Sequence, residues 1–546
     1  MFVKKSWRTI KGIKYMYYHI AKAYRDKDGK PKHKTVANLS HLPEEMINQI
    51  AILLKHKNAK VISDKYSFFK SSFNYGPIAF FILFMKNLGV LQALKPIPMK
   101  SRIYILMIIL NRILEPKSKL GSLSWIIKTA IPGLFGIDEN KLDVNSIYKA
   151  MDIFYQNIDK VMKRFNQSGK EGTRFILYDI TSIYFEGEGP DIARNGYSRD
   201  NREDRPQILL GLCLNKQGFP CYFRIFPGNV QDKATVIEVM EEVKKKYSVG
   251  EYVFVGDRGM ITENNLCKLK EIGLGYIVAL THRQAREIIN DISVRDLEIF
   301  DSQIPVEIIT DNIKKEKYIL CGSEYRRDHD LMLFEKLIKK GEEALLSVQK
   351  MIEAGRIKDE EKIIKRAQKK LTQSGADKYY DFHYENGEFR IIKLKEKTER
   401  ARKLCGYYIL KTTELDMPAE EVEISYKDLQ LVENAFYELK NLINIRPIYH
   451  WKDRRVTTHV YLCILAQTVV NQCRRKLKQV KWIYEKKENS FKTFIDILSQ
   501  ITMGEFTIEN TDEFIICDVK NEHKELLRYF DIGEKEFLDY KKLSIL

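Results

Sequence analysis

Two aspartates in apolar, strand-like runs place the strongest constraint on how this chain folds. Asp179 lies inside the run FILYDITSIYF, and Asp257 ends the run YVFVGD. An ionised carboxylate in a buried strand is costly unless a cation compensates its charge. A third acid, Glu433, lies in the segment YKDLQLVENAFYELK (426–440), which is predicted to be helical. We therefore expect the three acids to share a cation.

The order of the predicted elements indicates where the two aspartates meet. The predicted strands are 175–186, 208–215, 219–226, 252–256 and 276–281, with helices at 233–247 and 262–273. Three antiparallel strands followed by right-handed crossovers bring the first and fourth strands side by side. Asp179 and Asp257 then become neighbours, and their mutual repulsion indicates cations between them.

The chemistry of three carboxylates favours magnesium. Mg²⁺ binds through few carboxylates and completes its shell with water and substrate oxygens. Two such ions about 3.5 to 4 Å apart can promote an in-line displacement at phosphorus. The sequence therefore predicts a two-magnesium site for phosphodiester chemistry.

Length and composition exclude several other classes of protein. A chain of 546 residues is too long for one compact core, so we expect several domains. Its apolar runs fall short of the about 18 to 20 residues that cross a bilayer, and its first residues lack the apolar stretch of a signal peptide. The eight cysteines form no CxxC pair. We expect a cytoplasmic protein with no membrane contact, no disulfide framework and no zinc ribbon.

Positive charge is concentrated at the N-terminus. The net charge is +18, and residues 1–60 hold 14 Lys and Arg against 4 Asp and Glu. A hairpin within 12–39 and a helix at 43–56 are predicted, so this segment, the N-terminal module, is expected to fold and to contact a polyanion. A solvated basic face without a partner is the alternative interpretation.

The remaining sequence divides into further regions. We expect a helical region at 61–170, a core in two parts at 171–283 and 406–480, an inserted subdomain at 284–405 and a C-terminal region at 481–546. The insertion includes a predicted long helix at about 331–372 and a hairpin with an Asn386-Gly387 turn. A charged segment of that length inside an α/β core is typical of a subdomain rather than a loop.

Five segments, in order, resemble the catalytic segments of bacterial insertion-sequence transposases of the DDE class. They are YDITSIYFEGEG, GYSRDNREDRPQILLGL, FPGNVQDKATV, VGDRGMITENNL and 426–440, within a resemblance that covers roughly 170–283 and 405–475. The last segment is similar to the subgroup with a tyrosine, arginine, glutamate and lysine signature. Tyr426, Glu433 and Lys440 match its residues and spacing, whereas Leu429 stands at the arginine position.

This resemblance implies an α/β, ribonuclease-H-like catalytic core that carries an inserted subdomain. It also implies that Asp179, Asp257 and Glu433 are the catalytic and metal-binding residues, with two Mg²⁺ ions that Mn²⁺ can replace. Tyr426 and Lys440 are expected to contact DNA. Arg258 is expected either to contact phosphate or to form an ion pair, and Arg454 and Arg455 either to face DNA or to pack.

The activity that the resemblance implies is DNA transposition. The enzyme would cut double-stranded DNA at the element ends and join the freed 3′ hydroxyl to target DNA, working as a homodimer in a synaptic complex in the bacterial cytoplasm, at the nucleoid. Two alternatives stay open: a ribonuclease-H-like nuclease without strand transfer, and a catalytically decayed DNA-binding derivative.

Helical spacing predicts which side chains accompany Glu433. A step of seven residues turns a helix through about 700°, nearly two full turns, so Tyr426, Glu433 and Lys440 are expected to form one stripe. Glu438 is expected to point elsewhere and to lie on the surface. Four further acids in polar sequence near Asp179 are expected to have surface or loop roles: Glu186, Asp200, Asp204 and Asp232.

Overall fold

The structure is a computed structural model that describes residues 1–10, 13–55, 67–168, 174–247, 252–281, 284–285, 288, 305–311, 313–480, 490–508 and 511–543. The N-terminal module forms a three-stranded antiparallel sheet, β1 (Phe2–Ile10), β2 (Ile13–Arg25) and β3 (Pro31–Asn38), followed by helix α1 (Glu44–Lys55). Strand β1 was not predicted, because Lys4, Lys5 and Arg8 interrupt the apolar pattern of a strand. Every side chain of β3 is exposed, so one edge of this sheet faces solvent.

A strand and seven helices follow the N-terminal module. They are β4 (Ser67–Asn74), α2 (Gly76–Asn87), α3 (Val90–Ala93), α4 (Met99–Leu114), α5 (Lys119–Ile126), α6 (Ile131–Phe135), α7 (Val144–Gln156) and α8 (Ile158–Ser168). Helix α2 is apolar on all sides and lies in the main core. A helix that is apolar all round requires neighbours on every face.

The central element of the protein is an eight-stranded mixed sheet. Its first strands are β5 (Phe175–Tyr184), β6 (Gln207–Leu214), β7 (Pro220–Pro227), β8 (Val253–Gly256) and β9 (Gly275–Ala279), with helices α9 (Asp232–Tyr247) and α10 (Glu263–Glu271) between them. Strand β5 pairs antiparallel with β6 and parallel with β8, and β8 pairs parallel with β9. The expected adjacency of the first and fourth strands of the core is confirmed.

Two further strands extend this sheet instead of belonging to the insertion. Strands β10 (Val306–Asp311) and β11 (Glu316–Gly322) come next in the chain. The full strand order is β10, β11, β14, β9, β8, β5, β6, β7, where β14 is Tyr407–Thr412. The expected boundary of the insertion at 284 is therefore wrong for 306–322, because the backbone groups of these strands pair within the core sheet.

The insertion itself is a helical subdomain with its own core. It comprises α11 (Glu324–Glu353), α12 (Glu360–Ser374), the hairpin β12 (Tyr380–Glu385) and β13 (Glu388–Lys393), and α13 (Lys395–Lys403). The long helix predicted at 331–372 is thus two helices. Gly355, with a φ of 66°, follows the first one, and a left-handed residue at this position ends a helix.

The segment predicted as one helix at 426–440 is also two helices. Helix α14 (Ala419–Lys427) ends before Asp428, and α15 (Gln430–Asn441) begins after Leu429. The buried helix α16 (Asp453–Leu477) follows, and α15 packs on β5 and β6. The expected single helix is therefore interrupted at Asp428 and Leu429, although both residues keep right-handed helical backbone angles. The stripe expected from Tyr426 to Lys440 stays a prediction.

The C-terminal residues close the core of the helical region. They form α17 (Ser490–Leu498), β15 (Thr502–Ile508), β16 (Thr511–Cys517), α18 (Asn521–Tyr529), α19 (Glu534–Leu538) and α20 (Tyr540–Leu543). Strand β15 pairs with β4, and the ring of Phe80 lies 4.9 Å from the rings of Phe494 and Phe530. Within the described ranges, no helix has both the length and the apolarity needed to span a membrane.

Candidate active site

The central sheet brings the three expected acids to one cavity, which we call the acidic pocket. The register pairs Tyr178 with Gly256, so Asp179 and Asp257 occupy the next position on neighbouring parallel strands. Glu433 reaches the same cavity from helix α15, which crosses β5. The cavity has a volume of about 370 Å³. The sheet and one helix thus place three carboxylates around a space that fits small ligands.

The charges in the acidic pocket are poorly compensated. The pKa of Asp179 is raised to about 7, chiefly by burial and to a smaller extent by the charges of Asp257 and Glu433. The backbone N–H of Ile180 and the nearby Arg199 oppose this shift. Desolvation and the charge of Asp257 also raise the pKa of Glu433. The pocket therefore stabilises a proton or another cation among its carboxylates.

Four nearby acids, which we call the rim acids, are in the opposite situation. Each of them forms an ion pair. Glu186 pairs with Arg205, Asp200 with Lys440 and Arg446, Asp204 with Arg202 and Arg205, and Asp232 with Arg199. Among the described residues, by contrast, no ion pair includes Asp179, Asp257 or Glu433. Charge compensation therefore separates the rim acids from the pocket acids.

The signature residues lie on both sides of the break between α14 and α15, and their surroundings differ. Tyr426 donates a hydrogen bond from its hydroxyl to Oδ1 of Asp257, at 3.2 Å. Leu429 is buried at the break, with 9% of its surface exposed, and packs in the main core. Lys440 Nζ lies 2.9 Å from Oδ1 of Asp200. Tyr426 thus touches a pocket acid, whereas Lys440 holds a rim acid.

The expected DNA-contacting arginines have different surroundings. Arg454 and Arg455 both form ion pairs with Asp152 on α7, at 2.9 and 3.1 Å. These contacts join α16 to the helical region, and Arg454 keeps 46% of its side chain exposed. Arg258 directly follows Asp257 in a short 3-10 turn, Arg258–Met260. Arg454 and Arg455 therefore form structural ion pairs between two helices, and their expected DNA contact stays a prediction.

Two residues of the site were missed or misplaced by the sequence analysis. Arg199 lines the acidic pocket, and its backbone N–H binds the Ser182 hydroxyl on β5, at 2.9 Å. The sequence signal for Arg199 was its place directly before Asp200 in the segment GYSRD. Glu438 was expected on the surface, but it is buried and accepts hydrogen bonds from Gln467 and Arg474, at 3.0 and 2.8 Å. The surface expectation for Glu438 is wrong, because α16 covers that face of α15.

The donor set fits a hard divalent cation by chemistry. Carboxylate oxygens are the protein ligands that Mg²⁺ prefers, and the pocket has an excess of negative charge. Across the ranges that the structure describes, no three His, Cys, Asp or Glu side chains are arranged to hold one metal ion as they stand. A bound ion would require the carboxylates of Asp179, Asp257 and Glu433 to approach each other more closely than they do here.

Two family models match the chain. The model of the IS1634 family transposase N-terminal domain matches residues 3–64, and the model of the transposase DDE domain matches residues 170–469. No curated protein matches the sequence. The DDE match spans more than half of the chain and contains β5, β8 and α15.

Two solved structures are similar to parts of the chain. One is the piggyBac transposase synaptic complex with hairpin DNA, with 7% identity, a TM-score of 0.38 and coverage of 73% of this chain and 70% of that chain. The other is the Mos1 transposase paired-end complex with left transposon end, with 11% identity, a TM-score of 0.15 and coverage of 44% and 68%. From the two family matches, the chain belongs to the insertion-sequence transposases of the DDE class.

Proposed function

We propose that this transposase cuts DNA at the ends of its insertion sequence and joins the freed 3′ hydroxyl to target DNA. The observation that supports this most is the meeting of Asp179, Asp257 and Glu433 in one pocket, where none of the three forms an ion pair with a described residue. We further infer a ribonuclease-H-like core, since β7, β6, β5, β8 and β9 have the strand order and directions that the resemblance implies.

The proposed reaction consists of two phosphoryl transfers. In cleavage, a water molecule attacks phosphorus and loses a proton. The 3′ oxygen leaves and gains a proton. In joining, the freed 3′ hydroxyl loses its proton and attacks a target phosphodiester, whose 3′ oxygen leaves and gains a proton. Asp179, Asp257 and Glu433 would hold Mg²⁺, which supplies activation of the attacking oxygen and stabilisation of the leaving oxygen.

Other residues of the chain are proposed to position DNA. Arg199 is the guanidinium that lines the pocket, and it would contact the phosphate after releasing Asp232. Tyr426 would hold Asp257 in place through its hydroxyl. Arg258, Lys440, Arg454 and Arg455 remain proposed DNA contacts, of which Lys440 would first have to leave Asp200.

The N-terminal module is proposed to bind the element ends. Its basic side chains Lys4, Lys5, Arg8, Lys32 and Lys34 are exposed on the sheet. Exposed basic residues on a small folded sheet provide phosphate contacts, whose affinity falls with salt. We further propose that two copies of the chain act together on a pair of ends, as the family resemblance implies.

A strand-transfer assay tests the proposed function. The full chain is incubated with Mg²⁺, a plasmid target and a precut duplex made from the genomic DNA that borders the gene. Joined products are expected from the wild type, and none from Asp257→Asn. The matched control is Asp204→Asn, which removes the charge of an exposed rim acid and should leave joining intact.

Each result of this assay decides between the candidate functions. Nicking without joining would identify a nuclease that lacks strand transfer. DNA binding without nicking or joining would identify a decayed derivative. The structural observation that favours this alternative is the buried Leu429 at the signature's arginine position. Joining by Asp257→Asn at the wild-type rate would overturn the assignment of the acidic pocket.

A further inference from the structure

The inserted subdomain carries a strongly basic surface, which we call the basic groove. It lies along helix α12 and the loop before it and encloses a volume of about 940 Å³. Seven of its ten lining residues are Lys or Arg, and one is acidic. That acid, Asp359, caps α12 by accepting a hydrogen bond from the backbone N–H of Lys362, at 2.9 Å, so its charge is already engaged. The groove therefore presents a net positive surface.

Helical geometry makes this surface continuous. Lys362, Arg366 and Lys369 recur at steps of four and three residues, which keeps them within about 60° of one another on α12. All three are exposed, while Ile363 and Ala367 face the core of the subdomain. The basic stripe thus lies opposite the packed face of the helix and is available to a ligand.

Few of the groove's charges are neutralised within the described residues. Lys365 lies 3.5 Å from Glu361, with both side chains at least 80% exposed, and such pairs are weak. Lys370 donates a hydrogen bond to the Ser347 hydroxyl, at 2.6 Å. No ion pair in the described part of the chain includes Lys362, Arg366 or Lys369. The groove is therefore an uncompensated cationic site.

The insertion leaves the central sheet at the edge where the acids lie. Gly322, the last residue of β11, pairs with Tyr407, the first residue of β14. The guanidinium of Arg326, in the first turn of α11, lies 5.1 Å from the ring centre of Tyr408. The Tyr408 ring is 6.0 Å from that of Tyr426, whose hydroxyl bonds to Asp257. Helix α11 therefore starts beside the acidic pocket.

The length of α11 sets the distance between groove and pocket. The helix has 30 residues and a length of about 45 Å. Helix α12 packs against its distal half, as the contact between Lys370 and Ser347 shows. The groove therefore lies about 25 to 45 Å from the pocket along α11, which corresponds to roughly 7 to 13 base pairs of duplex.

We propose that the basic groove binds the phosphate backbone of the target duplex at this distance from the acidic pocket, an inference that rests on the proposed strand-transfer function. Lysine and arginine contacts to phosphate position a duplex without reading its sequence. The groove has a single side-chain amide, Gln373, and no aromatic side chain. This chemistry suits target DNA, whose sequence varies between insertion events, better than the element ends, whose sequence is constant.

Salt-dependent DNA binding by the full chain tests the groove. The variant combines Lys362→Gln, Arg366→Gln and Lys369→Gln, and the probe is a duplex of random sequence in EDTA. Three lost phosphate contacts should reduce the slope of log affinity against log salt by about 2.7. A fourfold rise in salt should then cost the wild type about 40-fold more affinity than the variant.

The control variant removes the same charge elsewhere in the subdomain. It combines Lys393→Gln, Lys395→Gln and Lys397→Gln, which are exposed and lie outside the groove. Its salt slope should stay within experimental error of the wild type. Equal slopes for the two triple variants would overturn the proposal, because net charge alone would then explain the binding.

Two further measurements test whether charge is responsible and which DNA the groove binds. The conservative pair Lys362→Arg and Lys369→Arg should retain the wild-type slope, which shows that charge and not packing is measured. The variant with Lys362→Gln, Arg366→Gln and Lys369→Gln should lose less affinity for a duplex that contains the element end than for the random duplex. A loss of affinity confined to the element end would overturn the target assignment. Because binding is measured in EDTA, an unchanged slope with normal strand transfer would reject the groove and leave the proposed function intact.

Discussion

Two acidic regions of the same sheet differ in how their charges are balanced. Burial alone raises the pKa of Glu316 on β11, but hydrogen bonds from Lys270, Tyr276 and Lys411 lower it to about 2. The pKa of Asp179 on β5 is raised to about 7, chiefly by burial, and Arg199 and the Ile180 backbone N–H offset this shift only in part. Both carboxylates lie in the eight-stranded sheet. Side-chain type and strand position alone therefore do not decide the chemistry of an acid in this fold.

The difference teaches how a structural acid is distinguished from a reactive one. The cluster around Glu316 contains its own cations, so its charges balance without a ligand. The acidic pocket has an excess of negative charge, which a ligand cation can relieve. Removal of a charge should therefore destabilise the first region and inactivate the second.

The largest expected effect separates two glutamates on helix α15. Glu433→Gln should reduce DNA cleavage by about 10³-fold, because metal ions contribute several kcal/mol to such reactions and each 1.36 kcal/mol is about tenfold. Its stability should not fall, because mutual repulsion among the pocket acids is reduced. Plasmid nicking and urea unfolding measure the two quantities.

Glu438→Gln is the matched variant on the same helix. Its carboxylate is buried and holds Arg474, so its free energy of unfolding should fall by about 1.5 to 3 kcal/mol. Cleavage per folded molecule should remain near the wild-type value. If both variants lost cleavage equally at full folding, the assignment of Glu433 as the third acid would be wrong.

The next largest effect concerns the cluster around Glu316. Glu316→Gln should lower the free energy of unfolding at neutral pH by about 3 kcal/mol, because the buried Lys411 then keeps, among the described residues, only the exposed Glu263 as its anion. The folded pKa is about 2, below the usual 4.5, so this contribution is complete above about pH 4.5 and is lost as the pH falls toward 2. Urea unfolding at decreasing pH should show the gap between wild type and variant narrowing.

The control for this prediction is an exposed pair in the insertion. Glu388 and Arg390 are 2.7 Å apart, with both side chains more than 60% exposed. Glu388→Gln should leave the free energy of unfolding unchanged within experimental error at any pH, because an exposed ion pair is weak. If the difference in the free energy of unfolding between the wild type and Glu316→Gln grew as the pH fell, the described charge balance would be wrong.

The smallest expected effect concerns Tyr426, which touches the pocket from outside. Tyr426→Phe removes the hydrogen bond to Asp257 and should reduce cleavage by about fivefold, the equivalent of about 1 kcal/mol. Tyr437→Phe is the control, since Tyr437 lies on α15 with 67% of its surface exposed. Indistinguishable cleavage by the two variants would remove Tyr426 from the set of positioning residues.

Some features of the site could be predicted from local sequence. The runs around Asp179 and Asp257 are predominantly apolar, as is typical of buried strands, and such patterns depend on neighbours in the chain. The order of elements then restricts the topology, because crossovers between parallel strands are right-handed. The placement of β5 beside β8, with the two aspartates adjacent, follows from these local signals.

Other features depended on contacts between distant parts of the chain. The break between α14 and α15, the burial of Glu438 under α16 and the place of Arg199 in the pocket have no strong local signal. The pairing of Lys440 with Asp200 joins residues 240 positions apart. Sequence spacing cannot encode such a distance, because it depends on how whole elements pack.

The amino-acid sequence by itself thus determined the class of the protein, the strands that bear the two aspartates and the excess of basic residues. The tertiary structure alone decided which acids keep an uncompensated charge. Hydrophobic periodicity is a property of neighbouring residues, whereas the state of a carboxylate depends on every charge within a few ångströms, whatever its position in the chain.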